Sequence, residues 1–485
     1  MTERLASTGS GFPTVYAGER AIHSRYDPPG EAEKYSNSLT FREGIRFFIL
    51  MEPGLGYGIS PLKKKFPGAK IIVLHLSDFF SREAPPGVPE ADAVWTPGGG
   101  VSLQKFLEGE VPDTDAAFIG IVEWRPSLYA YGEIYRRVLS DTADFIKRID
   151  ANRRTLRGFG RRWFRNALRN ILIVKKTLTL SPGSVPFVIT GAGPSLEEAI
   201  PLIRERKKGL FVLAVSSSVP ALLAGRITPD LIMSADGGGW ALFHLYETVR
   251  GGRSPALAIH LTAALPSQYA GTPILVISDG TLWQRIILRR ASVPFIVLPQ
   301  RGTVTASALD LAFLLTAGRV LIAGADLAHR DIRTHARPYS FDRLQHEGAT
   351  RFFPAYSRAY TRAKAITASG SHNIYAAWFR RQMAEYPKRL FSLGGNNPVF
   401  DVPGNFEDGD PGGPYPAETV GTPPPGGSGE GILETLMEAL EAPQSSGILQ
   451  GELGPLLFPD KTPSPGELKE MVFRTGKTYF GGRHG

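Results

Sequence analysis

The sequence predicts an α/β protein: a Rossmann-like doubly wound parallel sheet in a core domain, a smaller Rossmann-like N-terminal domain and a helical C-terminal region. Three observations carry this. From Val185 on, apolar runs at 186–190, 210–215, 230–235, 255–260, 273–277, 294–298 and 319–323 alternate with amphipathic stretches such as Leu196 to Arg206 and Val304 to Thr316. That beat implies parallel strands covered on both faces. The first of these runs enters Thr190-Gly191-Ala192-Gly193-Pro194, and Ser195-Leu196-Glu197-Glu198 behind it fits a capping box, so the stretch reads as strand, glycine turn, helix. Small residues and carboxylates then follow strand after strand: Ser216-Ser217-Ser218, Asp236-Gly237-Gly238-Gly239, Ser278-Asp279-Gly280 and Gly324-Ala325-Asp326, with Arg301-Gly302-Thr303 before a helix. In a parallel sheet these ends share one rim, where such folds bind ligands.

Composition narrows the class. A chain of 485 residues holds two or three domains, and the absence of cysteine excludes disulfides and thiolate metal sites. The opening MTERLASTGSGF has no apolar core behind its charges, and no run reaches the length of a membrane span, so a soluble, cytoplasmic chain is expected. The net charge of +9 is concentrated between Arg136 and Lys176, where Arg153, Arg154, Arg157, Arg161, Arg162, Arg165 and Arg169 crowd together. Such a run suits an anionic partner, but it equally describes a solvated helical face, and no nucleic-acid motif accompanies it.

In chain order, residues 1–40 show little regular pattern. Phe47 to Met51 reads as a buried strand, followed by Glu52-Pro53-Gly54-Leu55-Gly56-Tyr57-Gly58, a helix over Ile59 to Lys65 and a strand over Ile71 to Leu74. This is the start of a nucleotide-binding βαβ unit, but His75 stands where a ribose-binding carboxylate belongs, with Asp78 three residues on. The unit, residues 1–128 with further strands at Ala91 to Trp95 and Ala116 to Val122, therefore reads as a scaffold. Residues 129–180 read as a basic helical connector, 181–345 as the core domain, and 346–400 as a helical lid spanning Phe352 to Tyr386. The Pro/Gly-rich stretch 401–431 reads as a flexible linker, and 432–485 as a short C-terminal segment with one helix from Ile432 to Ala442.

Several motifs in this order resemble the motility-associated factor glycosyltransferases, which glycosylate bacterial flagellin. These are HSRYDP at 23–28 with Glu31-Ala32, PGLGYGI at 53–59, GFGRRWFRN at 158–166, GAGPSL at 191–196, SADGG at 234–238, RGTVTASALDLA at 301–312 and GADLAHRDIRTHA at 324–336. The core motifs are also similar in type to a set of bacterial sialyltransferases and to 6-hydroxymethylpterin diphosphokinases. The resemblance implies a CMP-activated nonulosonic acid, of the pseudaminic or legionaminic type, as co-substrate, and flagellin as partner and acceptor.

On that basis each residue takes an expected role. Gly191, Gly193, Pro194 and Ser195 are expected to bind the donor, with the backbone N–H groups at Gly193 to Ser195 holding its phosphate. Ser217 and Asp236 are expected to read the cytidine or ribose, and Gly302, Thr303 and Ser307 to steady the donor. His335 is the expected general base, with His346 and His329 behind it, and Asp326 orients a hydroxyl or a histidine. A diphosphokinase would instead need Mg²⁺ between ATP phosphates, with Asp236, Asp279 and Asp326 as candidate ligands. A third reading is a non-catalytic flagellar assembly factor.

Overall fold

The structure, a computed structural model, describes residues 2–83, 90–111, 115, 118–250, 255–367, 370–394, 413–423 and 429–480. The chain divides into two compact units, residues 1–158 with 458–462, and residues 159–457 with 463–485. The division falls inside the helix Glu133–Ile173, in the stretch read as a connector.

The first unit opens with a small antiparallel sheet, β1 (Glu3–Ala6), β2 (Thr14–Ala17) and β3 (Arg20–Ala21), and a helix Pro28–Ser38 capped by Asp27. The sequence shows none of this, because its strands are too short to display a period. Behind it lie β4 (Phe47–Met51), β5 (Lys70–Leu74), β6 (Ala93–Trp95) and β7 (Ile119–Glu123), all parallel in the order β6-β5-β4-β7. Every residue of β4 is buried, which is why it reads as an unbroken apolar run.

The second unit is built on a ten-stranded sheet. Its strands are β8 (Lys176–Ser181), β9 (Phe187–Thr190), β10 (Phe211–Val215), β11 (Leu231–Ser234), β12 (Ala256–His260), β13 (Pro273–Ser278), β14 (Phe295–Val297), β15 (Val320–Ala323), β16 (Leu390–Ser392) and β17 (Ala417–Gly421). The order is β16-β15-β9-β10-β11-β12-β13-β8-β17, and β14 pairs the end of β13 where β8 pairs its start. All pairs are parallel except β17 on β8. Each apolar run predicted between 186 and 323 forms a strand within a residue or so of the expected bounds. The helix Val304–Leu315 covers one face, packing Ala308, Leu311 and Leu315 against Phe187, Leu213 and Met233. From β9 the chain proceeds one way to β10, and from β15 the other way to β16, so the topological switch lies between β9 and β15.

The far half of the long helix supports the rim of this sheet. Asn166 Nδ2 donates to Gly237 O (3.1 Å) and Thr262 O (2.9 Å), and Asn170 Nδ2 to Leu261 O and Ala263 O (both 2.8 Å). Trp163 lies so close to Gly237 that a Cβ there would meet its ring at 2.4 Å. Two readings of the C-terminal part need correction. Of the stretch read as a linker, residues 401–412 and 424–428 lie outside the described residues, but 417–421 form β17, because its Glu-Thr-Val segment completes the open edge of β8. In the segment 432–485, read as holding one helix, the described residues form three, Gly429–Glu441, Pro443–Leu457 and Pro465–Phe480, around Leu433, Leu436, Leu453, Leu468 and Val472. The helix after β13, Leu282–Arg290, takes its cap from this bundle: Glu452 accepts from the N–H groups of Leu282 (2.9 Å) and Trp283 (3.2 Å).

Candidate functional site

A cavity of about 180 Å³ opens at the switch point. Its walls come from the loops after β9 and β15, from Ser217 after β10, from Thr305 in the first turn of Val304–Leu315, and from Thr334, His335 and Phe379. Two glycines allow the loops to meet. A Cβ on Gly191 would lie 2.4 Å from Gly324 O, and one on Gly324, whose φ is +69°, 2.4 Å from Gly191 O. Only residues without a side chain fit there. Leu327, also in the wall, holds a left-handed φ of +49°, a strained setting for a leucine.

Asp326 crosses between the two loops and is 6% exposed. Its Oδ2 accepts from Ser195 N (2.8 Å) and its Oδ1 from the Ser195 hydroxyl. Burial raises the carboxyl above the ordinary aspartate range, while the Ser195 bonds and the Arg330 charge work against that rise. The bonds overturn the expectation for the glycine turn. Gly193 N already donates to Gly324 O (2.7 Å), and Ser195 N to Asp326, so these amides are not free for a phosphate. The protein's own carboxylate occupies the anion position at the start of the helix Leu196–Arg206.

The capping box is overturned with it. Ser195 makes no side-chain cap, and its hydroxyl goes to Asp326 instead. Glu197 turns to Arg333 (3.0 Å) and to Arg337 N (3.0 Å), and Glu198 to Arg330. These pairs pin the loop after β15 to the first turn of the helix, and Ala336 N adds a bond to Ala192 O (2.8 Å).

His335 lies in the cavity wall. Its Nδ1 pairs with Thr334 Oγ1 (2.8 Å) and its ring stacks on Tyr339 with centroids 4.0 Å apart. Burial, then the charges of Arg362 and His244, lowers its pKa to about 4. The imidazole is therefore neutral at pH 7, well below the value near 7 expected of the base. His329 and His346 lie outside the cavity wall: the His329 ring pairs with the backbone of Asp331, and His346 is exposed.

The expected site residues thus separate. Gly193, Ser217, Asp326 and His335 line the cavity, and Gly191, Pro194 and Ser195 stand directly behind it. Gly302, Thr303 and Ser307 do not line it. A Cβ on Gly302 would strike the Tyr375 ring, Thr303 caps its helix by accepting from Ala306 N (3.1 Å), and Ser307 is buried. Thr305, between them, reaches the cavity instead, where the first-turn amides of a twelve-residue helix favour an anion. Asp236 is exposed at the end of β11, three strands from β15, roughly 14 Å away at ordinary strand spacing. Asp279 is two strands further, at the end of β13. Among the described residues no three acidic or imidazole side chains gather to hold a metal, and Asp236, Asp279 and Asp326 do not fit a shared Mg²⁺ site.

Residues 161–331 match the family model described as 6-hydroxymethylpterin diphosphokinase MptE-like. The core is MptE-like. The cavity's Gly193, Ser217, Thr305 and Asp326 all fall inside the MptE-like segment, whereas Thr334, His335 and Phe379 lie beyond its end. The fold is similar to that of a solved structure, the Maf glycosyltransferase from Magnetospirillum magneticum AMB-1, with a TM-score of 0.55 and 12% identity over 99% of this chain and 87% of that one. The resemblance read from the motifs is met on both counts, an MptE-like core and the fold of a motility-associated factor glycosyltransferase. Two proteins of Treponema pallidum (strain Nichols), both described as uncharacterized, are 27% identical over 298 residues and 30% identical over 104 residues. Those alignments cover 60% and 21% of this chain, and it spans 64% of the length of the first relative and 50% of the second. Among the described residues no helix is long and apolar enough to cross a membrane.

Proposed function

We propose that the core domain is a glycosyltransferase that moves a nonulosonic acid, of the pseudaminic or legionaminic type, from its CMP-activated form to a serine or threonine of flagellin in the cytoplasm, in support of flagellum assembly and motility. The observation that carries the proposal is the polar cavity at the switch point, with a buried carboxylate and a neutral imidazole in its wall. The acceptor oxygen bonds to the anomeric carbon of the sugar as the bond from that carbon to the phosphate oxygen breaks. The electron pair leaves with CMP, and the hydroxyl proton passes to His335. The phosphate belongs at the Thr305 end of the cavity, near Ser217, because Asp326 repels a second anion at the Ser195 end. An anionic phosphate nearby draws the His335 pKa upward, toward the range a base requires.

The MptE-like match favours a second reading, an ATP-dependent pterin diphosphokinase. Two measurements separate them. Intact mass of flagellin from cells with and without this gene should differ by the mass of the sugar, and an unchanged mass sinks the transferase reading. Thermal shift should respond to CMP; a response to ATP with Mg²⁺ and none to CMP favours the kinase.

A further inference from the structure

A row of aromatic rings runs from the cavity into solvent. His335, in the cavity wall, stacks on Tyr339 at 4.0 Å; Tyr339 meets Phe341 at 5.5 Å, and Phe341 meets Trp240 at 5.9 Å. Phe243 backs Trp240 in a stack at 5.6 Å. His244 braces the row from beneath, 5.4 Å from Tyr339 and 5.1 Å from Phe341, with its Nδ1 on Ser340 Oγ (3.0 Å). Trp240 is 65% exposed, an unusual setting for so large an apolar ring, yet it is held on a loop with three glycines at the end of β11. Asp236 opens the same loop. Its Oδ1 accepts from Gly238 N (2.7 Å), which fixes the carboxylate on the loop that carries Trp240, and its charge acts on His244 under the row.

We infer that Trp240, with Phe341 beside it, is the stacking platform for the base of the nucleotide whose phosphate occupies the cavity, and that Asp236 reads that base's exocyclic amine. This rests on the reading of the core as a nucleotide-sugar enzyme. Among the described residues the cavity wall holds hydroxyls, a carboxylate and an imidazole, and its one phenyl ring, Phe379, is fully buried, so a base attached to a phosphate held there finds its stacking surface outside the cavity. The aromatic row joins the cavity wall at His335 and ends three ring-to-ring steps away at the exposed Trp240. An exposed indole favours a flat π system, because stacking is available to every base face. A carboxylate on the same loop selects among bases, since cytosine presents an amine at N4 where uracil presents a carbonyl.

The test titrates the full chain with CMP, UMP, AMP and ribose 5-phosphate, followed by calorimetry and by tryptophan fluorescence. Wild type should bind CMP more tightly than ribose 5-phosphate, with quenching that Trp240→Phe largely abolishes. Trp240→Ala should weaken CMP by about 5- to 150-fold and leave ribose 5-phosphate unchanged. Asp236→Asn should narrow the gap between CMP and UMP. Phe352→Ala, which removes an 87% exposed ring that is not part of the row, should change nothing and so controls for loss of an exposed ring. If wild type binds CMP and Trp240→Ala binds it equally well, the platform is overturned while the transferase reading stands. Equal binding of CMP and ribose 5-phosphate by wild type overturns it too. Tighter binding of AMP than CMP, still lost in Trp240→Ala, supports the platform and overturns the CMP donor. No binding of any of these overturns both.

Discussion

Both parallel sheets place a glycine turn after a buried central strand, and both tie that turn to a neighbouring loop through a buried carboxylate. They differ in what remains once the carboxylate is satisfied. In the first unit Glu52 is itself part of the turn, fully buried with a left-handed φ of +43°. It accepts from Gly54 N (3.2 Å), His75 Nδ1 (3.0 Å) and Leu76 N (2.6 Å), and the His75 ring stacks on Phe80 at 4.5 Å. The cavity beside this turn has about 20 Å³ and a mostly apolar lining, room for a single water. In the core the carboxylate comes from the loop after β15, Ser195 takes up both its oxygens, and about 180 Å³ stays open with hydroxyls and an imidazole around it. A glycine turn therefore marks a strand–helix joint, and the volume left around its carboxylate decides whether a site exists.

The harshest challenge to this contrast is at the glycines. Gly191→Ala sets a Cβ against the Gly324 carbonyl, rigid backbone that cannot swing aside, so the core should fail to fold or lose more than about 3 kcal/mol. Gly239→Ala, with no atom within 4 Å of its Cβ, should melt like wild type. Equal melting of the two variants means that the loops do not meet as described. Next in size is chemistry. His335→Ala should reduce flagellin modification by about 10²-fold or more, with CMP binding nearly intact. An undiminished rate removes His335 from the reaction.

Exchanging the carboxylates tests the comparison directly. Glu52→Gln and Asp326→Asn each lose charge-assisted bonds to buried donors, a cost of about 1–3 kcal/mol. Amide-exchange protection should fall in β4 and β5 for Glu52→Gln, and in β9 and β15 for Asp326→Asn. Only Asp326→Asn should alter CMP binding. If Glu52→Gln weakens CMP as much, the first unit is more than a scaffold.

The sequence showed the core well and its site unevenly, for physical reasons. Strands buried on both faces stand out as apolar runs, so β9 to β15 could be read almost residue by residue. The turn at Gly191 was legible because only glycine permits the approach of Gly324. What Ser195 does was not, since a serine before two glutamates looks like a cap until Asp326 arrives from 131 residues away. Gly302, Thr303 and Ser307 looked equally promising, but the turn of one helix decides that Thr305 faces the cavity. Phe379 comes from a helix beyond the sheet, and no local pattern foretells it. In the first unit, the Glu52–His75 pair explains the missing ribose carboxylate: the position after β5 serves the turn itself.

The smallest expected effect concerns acid. His23 in the first unit is held neutral by burial, with a pKa of about 3, and His244, His260 and His335 in the second lie at about 4. The unfolded chain takes up these protons first, near pH 6.5, so stability is whole above that pH and declines as pH falls. The decline ends near pH 4 for the second unit and near pH 3 for the first. Each histidine adds up to about 1.4 kcal/mol per pH unit inside its window. Three against one predicts that amide protection falls more steeply between pH 6.5 and 5 in β9 to β15 than in β4 to β7, after correction for intrinsic exchange. His260 isolates the effect: it is 2% exposed at the end of β12, with no hydrogen-bond partner among the described residues for either ring nitrogen. An unpaired buried N–H already destabilises the fold, so His260→Leu should hold or raise stability at pH 7 and flatten the acid slope of the second unit alone. A loss at pH 7 together with an unchanged slope would mean that a bound water or ligand satisfies His260, and that this end of the rim belongs to the site.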